Sequence, residues 1–439
     1  MADKPRRRSR VPTGRLERIA RIGWMAGEFA LGGMAEGARR LTGRRQGSQS
    51  VFLTGANARR LAQRLSRMRG AAMKLGQLLS LEGDDLLPLE FAEALSILRS
   101  AADTMPATQV RRAIGREYGK GWQTRFRDFD FEPIAAASIG QVHTAVAGDG
   151  RELALKVQYP GVAHSINSDV NNLAAVLRLT RILPVDVDVS GIIAEAKRQL
   201  RQEADYLAEA RHQSRYRELV SDEPRLLVPS VHDDLTTARV LAMDLVHGRP
   251  IEDLRGREHP QDLRDAIGRC LQQLMFRELL EFRFMQTDPN FSNYLLVPET
   301  GQVALLDFGA AREISRELAE QYAELFRSAM ARDRAALLRA ASAIGFAPAN
   351  QPRDRIEGLL DLILLVCEPF QHCGEYDFGS SDLPSRARDA GFELAFRRGF
   401  LHPPPPQTIF LHRKLAGTFF LCARIRARVD ARVLIEPFL

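Results

Sequence analysis

The stretch Asp288-Pro-Asn-Phe-Ser-Asn293, followed about twenty residues after its first aspartate by Asp307-Phe308-Gly309 at the end of an apolar run, decides how this chain folds. An Asp with an Asn five positions on can set a carboxylate beside an attacking group and an amide oxygen on a metal ion. A second Asp, ending a strand, holds metal against nucleotide phosphates. Together the two fragments read as a phosphoryl-transfer centre. Singly, either would pass for a capping or salt-bridged structural Asp.

Upstream, Glu152-Leu-Ala-Leu-Lys156-Val-Gln is an apolar strand carrying one lysine, which resembles the strand lysine that contacts phosphates in protein kinases. The chain is rich in arginine and has six lysines: Lys4, Lys74, Lys120, Lys156, Lys197 and Lys414. A lysine in that company suggests a need for a point charge rather than a planar fork. A long helix is expected between about 189 and 218, with Glu203, Asp205, Tyr206 and Glu209 on it. On a continuous helix Asp205 and Glu209 share a face one turn apart, with Glu203 turned away. Glu209 is the favoured partner for Lys156 and Glu203 the runner-up. Thr237 to Gly248 reads as an apolar strand entering a connection, where backbone at Met243, Asp244, Leu245 and Val246 would meet an adenine edge.

Three departures from an ordinary protein kinase are visible. Where a glycine-rich loop would cover the phosphates, the chain has Pro133-Ile-Ala-Ala-Ala-Ser-Ile-Gly-Gln-Val-His143, with Gly140 its single glycine. Alanine resists positive φ, so this loop should be stiffer. Gln286-Thr287 stands where His-Arg would precede the catalytic Asp, removing the arginine that anchors a phosphorylated activation loop. Beyond Gly309 the pattern turns helical at Arg316, and no Ala-Pro-Glu appears. A protein substrate would find little docking platform.

With these features the sequence resembles the UbiB family of atypical kinases, and its mitochondrial-type branch in particular. The matching segments are Lys74-Leu-Gly-Gln77, Ala135-Ala-Ala-Ser138 with Ile-Gly-Gln-Val-His143, Leu155-Lys156-Val-Gln-Tyr-Pro-Gly161, Glu203-Ala-Asp-Tyr206 with Glu209-Ala210, Gln286-Thr-Asp-Pro-Asn290, Asp307-Phe-Gly-Ala310 and His412-Arg-Lys-Leu-Ala-Gly417. The resemblance implies an α+β, two-lobed protein-kinase-like fold with an N-terminal helical extension over the active site. The division expected is a basic tail over 1–50, the extension over 51–120, an N-lobe with a helical insertion over 121–244, and a helical C-lobe over 245–439.

The same resemblance implies ATP or ADP with Mg2+ as cofactors and a role in ubiquinone biosynthesis. It makes Lys156, Asp288 and Glu209 the catalytic set, and Asn293 and Asp307 the metal ligands. Ala135, Ala136, Ala137, Ser138, Gly140, Gln141, Lys156 and Met243 to Val246 line the nucleotide. Lys74, Gly76 and Gln77 become gatekeepers facing Glu203 and Asp205. On the residues alone, Ala71 to Ser80 is an amphipathic helix whose mid-helix Gly76, at about 1 kcal/mol relative to Ala, suggests close approach of another backbone. Two other readings use the same nucleotide residues: a non-catalytic scaffold switched by nucleotide, and a small-molecule kinase.

Composition sets the limits. The chain has 439 residues, 45% of them hydrophobic, enough for more than one core. Its net charge of +7 comes largely from arginine, with no nucleic-acid-binding motif, so an anionic membrane surface and a nucleotide are the expected partners. Quinone-precursor lipids and ubiquinone-biosynthesis enzymes follow from the resemblance. Ile22 to Met34 is too short, and too interrupted by Glu28, to span a bilayer; it could lie on one. The apolar segment from Thr408 to Ile425 is broken by His412-Arg-Lys414 and Arg424. The expectation is a cytoplasmic protein, peripheral at the inner membrane, with no secretory signal. Cys270, Cys367, Cys373 and Cys422 lack zinc spacing and read as reduced thiols.

Overall fold

The computed structural model describes residues 104–137, 139–179, 190–256, 259–348, 351–400, 402 and 404–439. The basic tail, the helical extension before residue 104, Lys74, Gly76, Gln77 and Ser138 lie outside these. The chain divides into two units, the first running to Arg211 and adding Ser230–Leu245, the second taking His212–Pro229 and Val246–Leu439.

In the first unit, helix α1 (Ala107–Tyr118) precedes an antiparallel sheet of β1 (Phe126–Phe129), β2 (Ala135–Ala136), β3 (Gly140–Ala147), β4 (Glu152–Gln158) and β6 (Val240–Asp244). The order is β1-β3-β4-β6, with β2 added along β3. Every residue of β4 after Glu152 is buried, as a near-continuous apolar run requires of a central strand. Leu153, Leu155, Val157, Val240, Leu241 and Ala242 form the heart of this core.

Helices α2 (Val162–Leu179), α3 (Ser190–Glu203) and α4 (Tyr206–Leu219) follow β4. The single long helix expected between 189 and 218 is therefore two, broken at Ala204–Asp205. Asp205 does the breaking: its carboxylate accepts the Ala208 N–H at 2.9 Å, capping α4. An Asp that satisfies an orphan donor of the next helix starts that helix rather than continuing the last.

The second unit has the sheet β5 (Leu226–Leu227), β10 (Gln302–Leu305), β9 (Tyr294–Val297) and β7 (Arg249–Pro250), in that order, with β10 parallel to β5 and antiparallel to β9. Two short strands, β8 (Phe284–Gln286) and β11 (Ala311–Glu313), pair antiparallel on either side of the Asp288 and Asp307 segments. Its larger helices are α5 (Gln261–Phe276), α6 (Arg316–Met330), α7 (Arg334–Ile344), α8 (Arg353–Val366), α9 (Leu383–Phe392) and α10 (Pro406–Ile425). Ser315 caps α6 by accepting the Leu318 N–H, and Asp333 caps α7 through two N–H groups. After α5 the chain widens into a π turn, Arg277–Glu281, and two residues beyond it Arg283 takes a φ of 50°. Among the described residues, no helix is long and apolar enough to cross a membrane.

Candidate active site

Lys156 lies on the central strand β4, and its side chain is 10% exposed. Its Nζ sits 2.7 Å from Oε1 of Glu209, whose side chain is wholly buried. Glu209 owes its position to the break: Asp205 starts α4, and Glu209 comes one turn in, its N–H bonded to the Asp205 carbonyl. Glu203 closes the preceding helix instead. The Lys156 ammonium also lies 5.3 Å from the Tyr206 ring centre.

The alanine-rich segment is a tight hairpin. Ala135 and Ala136 are strand residues paired with Val142 and Gln141, and the Ala137 N–H donates to the Gly140 carbonyl. Gly140 is not a positive-φ glycine. A Cβ there would fall 2.5 Å from the Val157 carbonyl oxygen and 2.7 Å from the Tyr206 hydroxyl, so close packing demands it.

Gln141, expected to face a nucleotide, has its side chain committed elsewhere. Its Oε1 accepts the Met105 N–H at 2.7 Å, and its Nε2 lies 2.7 Å from Nε2 of His143. Since His143 Nδ1 faces the Asp130 carbonyl, which can only accept, the proton is on Nδ1 and Nε2 accepts from the Gln141 amide. Burial pushes the His143 pKa below its ordinary value, in keeping with this neutral form.

Of the expected hinge donors, the Asp244 N–H is taken by the Ser230 carbonyl and the Leu245 N–H by that of Glu152. Those two amides are spoken for by the sheet. The Asp244 carboxylate is held by Ser230 N–H and His232 Nε2, at 2.9 and 2.8 Å.

In the second unit the residues around Asp288 are tied to one another. Asn293 Nδ2 donates to the Asp288 carbonyl at 3.2 Å, which turns the amide oxygen the other way. The Gly309 N–H donates to Asp307 Oδ1 at 3.0 Å, and Phe308 is fully buried, 4.8 Å from the Tyr216 ring. Gln286 Nε2 donates to the carbonyls of both Asp288 and Asp307, at 2.8 and 3.2 Å. One side chain thus joins the two acidic segments. An amide oxygen and a carboxylate are hard donors, the class that Mg2+ takes.

Three residues here were given no role in the site by the sequence. Arg413 Nη2 lies 3.4 Å from Asp288 Oδ1. Glu278, on the π turn and fully buried, accepts the Gln286 N–H at 2.8 Å and the Tyr216 hydroxyl at 2.7 Å. Lys414 ion-pairs with it at 3.0 Å. Burial raises the Glu278 pKa and Lys414 opposes that rise; the three donors aimed at the carboxylate favour its ionised form. For Lys414, burial works to lower the pKa, but Glu278 and Tyr294 outweigh it and the ammonium is held charged.

The comparisons with known proteins bear on this arrangement. A family model described as the ABC1 atypical kinase-like domain matches residues 97–341. The chain belongs to the ABC1, or UbiB, family of atypical kinases. It is 39% identical to the rat protein named atypical kinase COQ8B, mitochondrial, over 99% of this chain and 82% of that one. It is 35% identical to the yeast atypical kinase COQ8, mitochondrial, over 98% of this chain and 85% of that one. Among solved structures, Rv3197 from Mycobacterium tuberculosis, described as a complex with erythromycin, aligns with a TM-score of 0.60 at 26% identity, covering 88% of this chain and 96% of its own. As an ABC1 kinase the chain has the kinase-like fold of helices and sheets and is a phosphotransferase of the atypical class.

Proposed function

We propose that this atypical kinase binds Mg-ATP or Mg-ADP and supports ubiquinone biosynthesis, working at the surface of an inner membrane. Lys156 orients the α- and β-phosphates, Asn293 and Asp307 hold Mg2+, and Asp288 serves as base or water-orienting group. Ala135 to Ala137, Ser138, Gly140 and the Met243 to Val246 segment line the nucleotide, with the donors of Asp244 and Leu245 already engaged. Lys74, Gly76 and Gln77 act as gatekeepers toward Glu203 and Asp205. The observation that carries the reading is the buried Lys156–Glu209 pair. Replacing such a pair by apolar residues is often neutral or stabilising, so an ammonium kept at 10% exposure on a central strand points to a use other than stability.

The membrane surface and quinone-precursor lipids follow from the basic charge, net +7, and from the family. A second reading is a nucleotide-switched scaffold without phosphoryl transfer. It is favoured by Arg413, whose guanidinium lies 3.4 Å from Asp288 Oδ1 and competes with a substrate hydroxyl for that carboxylate. Phosphate release measured with and without anionic liposomes and quinone-precursor lipids separates them, a flat zero in every condition favouring the scaffold. For the metal site, Asp307→Asn should abolish Mg2+-dependent nucleotide binding while the circular dichroism spectrum stays that of the wild type. Unchanged affinity removes Asp307 from the metal site.

A further inference from the structure

Lys414 is one of six lysines in an arginine-rich chain, and it sits on α10, far along the sequence from any acid it serves. Its Nζ ion-pairs with Glu278 Oε2 at 3.0 Å and donates to Gln286 Oε1 at 3.2 Å and to the Tyr294 hydroxyl at 3.4 Å. The ammonium is therefore engaged on the protein's own oxygens. The void beside it, about 10 Å³ and lined in part by Pro289, Tyr294 and Thr418, has room for no more than a water. This lysine is therefore read as holding the protein's own groups.

What it does hold is Gln286. With Oε1 fixed by Lys414 and the main-chain N–H fixed by Glu278, the Gln286 amide has one orientation left, in which Nε2 donates to the carbonyls of Asp288 and Asp307. Glu278 is held in turn by the Tyr216 hydroxyl. One turn beyond Lys414, Gly417 lets α10 press on the loop itself: a Cβ there would fall 2.2 Å from Cβ of Pro289. The helix meets the Asp288 segment twice from the same side, by charge and by close packing.

We propose that Lys414 is a positioning residue for phosphoryl transfer: with Glu278 it locks the Gln286 amide as a clamp that sets the spacing of Asp288 and Asp307. The inference rests on the roles given to those two acids above. A clamp differs from a merely structural ion pair in what its loss does. Loosening it lets the acids drift, so metal affinity and turnover fall while nucleotide recognition by other groups persists. Groups that orient metal ligands from behind change metal affinity or activity by about 10- to 100-fold when removed.

The test uses the full-length chain with two changes. Gln286→Glu keeps size but abolishes both donations, since a carboxylate only accepts. The double variant Lys414→Met/Glu278→Gln removes the clamp's support without leaving a lone buried charge. In both, the Mg2+ concentration for half-maximal ATP binding should rise about tenfold and kcat should fall at least about tenfold, with KM moving less. Wild-type protein that binds ATP indifferently to Mg2+ overturns the proposed function itself. Where the wild type is Mg2+-dependent, variants that keep its Mg2+ half-saturation and its kcat per folded molecule overturn the clamp alone, and a lower melting temperature does not rescue it.

Discussion

In the first unit the β2–β3 hairpin is tied down by neutral groups, Gln141 and His143 against the main chain of Met105 and Asp130. In the second unit the Asp288 segment is tied down by a buried ion pair, Glu278 with Lys414, acting through Gln286. The energies differ in kind. Removing one partner of a buried neutral hydrogen bond costs about 1–3 kcal/mol, whereas removing one partner of a buried ion pair costs about 3–5 kcal/mol because the other charge is stranded. On the proposed function the hairpin admits and releases a nucleotide, and such a loop gains from many small ties. A loop that must keep two acids at a fixed spacing gains from one that does not give way.

The largest effect expected from this contrast is at Glu278. Glu278→Ala strands the Lys414 ammonium and leaves the Gln286 N–H and Tyr216 hydroxyl without an acceptor, a loss of about 3–5 kcal/mol. Urea unfolding with an unchanged slope should report it. A loss under about 1 kcal/mol would mean that the charged tie is no stronger than the neutral one.

Acid offers a second way in, through the helix that carries Lys414. His412 packs against Tyr322 and Phe346, with Tyr322 Oη 3.0 Å from its Nε2, and burial depresses its pKa from 6.5 to about 4. Between those values the unfolded chain binds more proton than the native one. The contribution of His412 is thus whole above about pH 6.5 and is lost as pH falls towards 4, up to about 3 kcal/mol in all. His412→Gln should flatten that part of the stability profile. If the profile keeps its slope, other groups, His143 in the first unit among them, carry the acid sensitivity.

What could be seen in the sequence and what could not follow from how each residue works. Lys156, Asp288, Asn293 and Asp307 stand out because the sequence pattern of phosphoryl transfer uses those residue types in that order, whatever surrounds them. Glu278 and Lys414 act by being buried against each other, and no local pattern marks a Glu inside Arg277-Glu-Leu-Leu-Glu281, a run favourable to ordinary helix that the fold opens into a π turn. The scarcity of lysine marked Lys414 as plainly as Lys156, but only the strand around Lys156 gave the charge a direction. The division between α3 and α4 was legible in principle, since Asp205 precedes Tyr-Leu-Ala in the manner of a cap. An acidic helix face presents the same letters, and periodicity cannot tell them apart.

The smallest expected effect sharpens the contrast from the neutral side. Gln141→Met keeps the length of the side chain but removes both ends of the tie, leaving the Met105 N–H and His143 Nε2 unmatched in a buried setting. The cost should be about 1–3 kcal/mol, below that of Glu278→Ala. It should also be local: in hydrogen exchange the Met105 amide loses protection while the Gln286 amide, bonded to Glu278, keeps its own. Loss of protection at both amides would show that the neutral tie supports the whole chain, and the division of labour between a yielding loop and a fixed one would then fail.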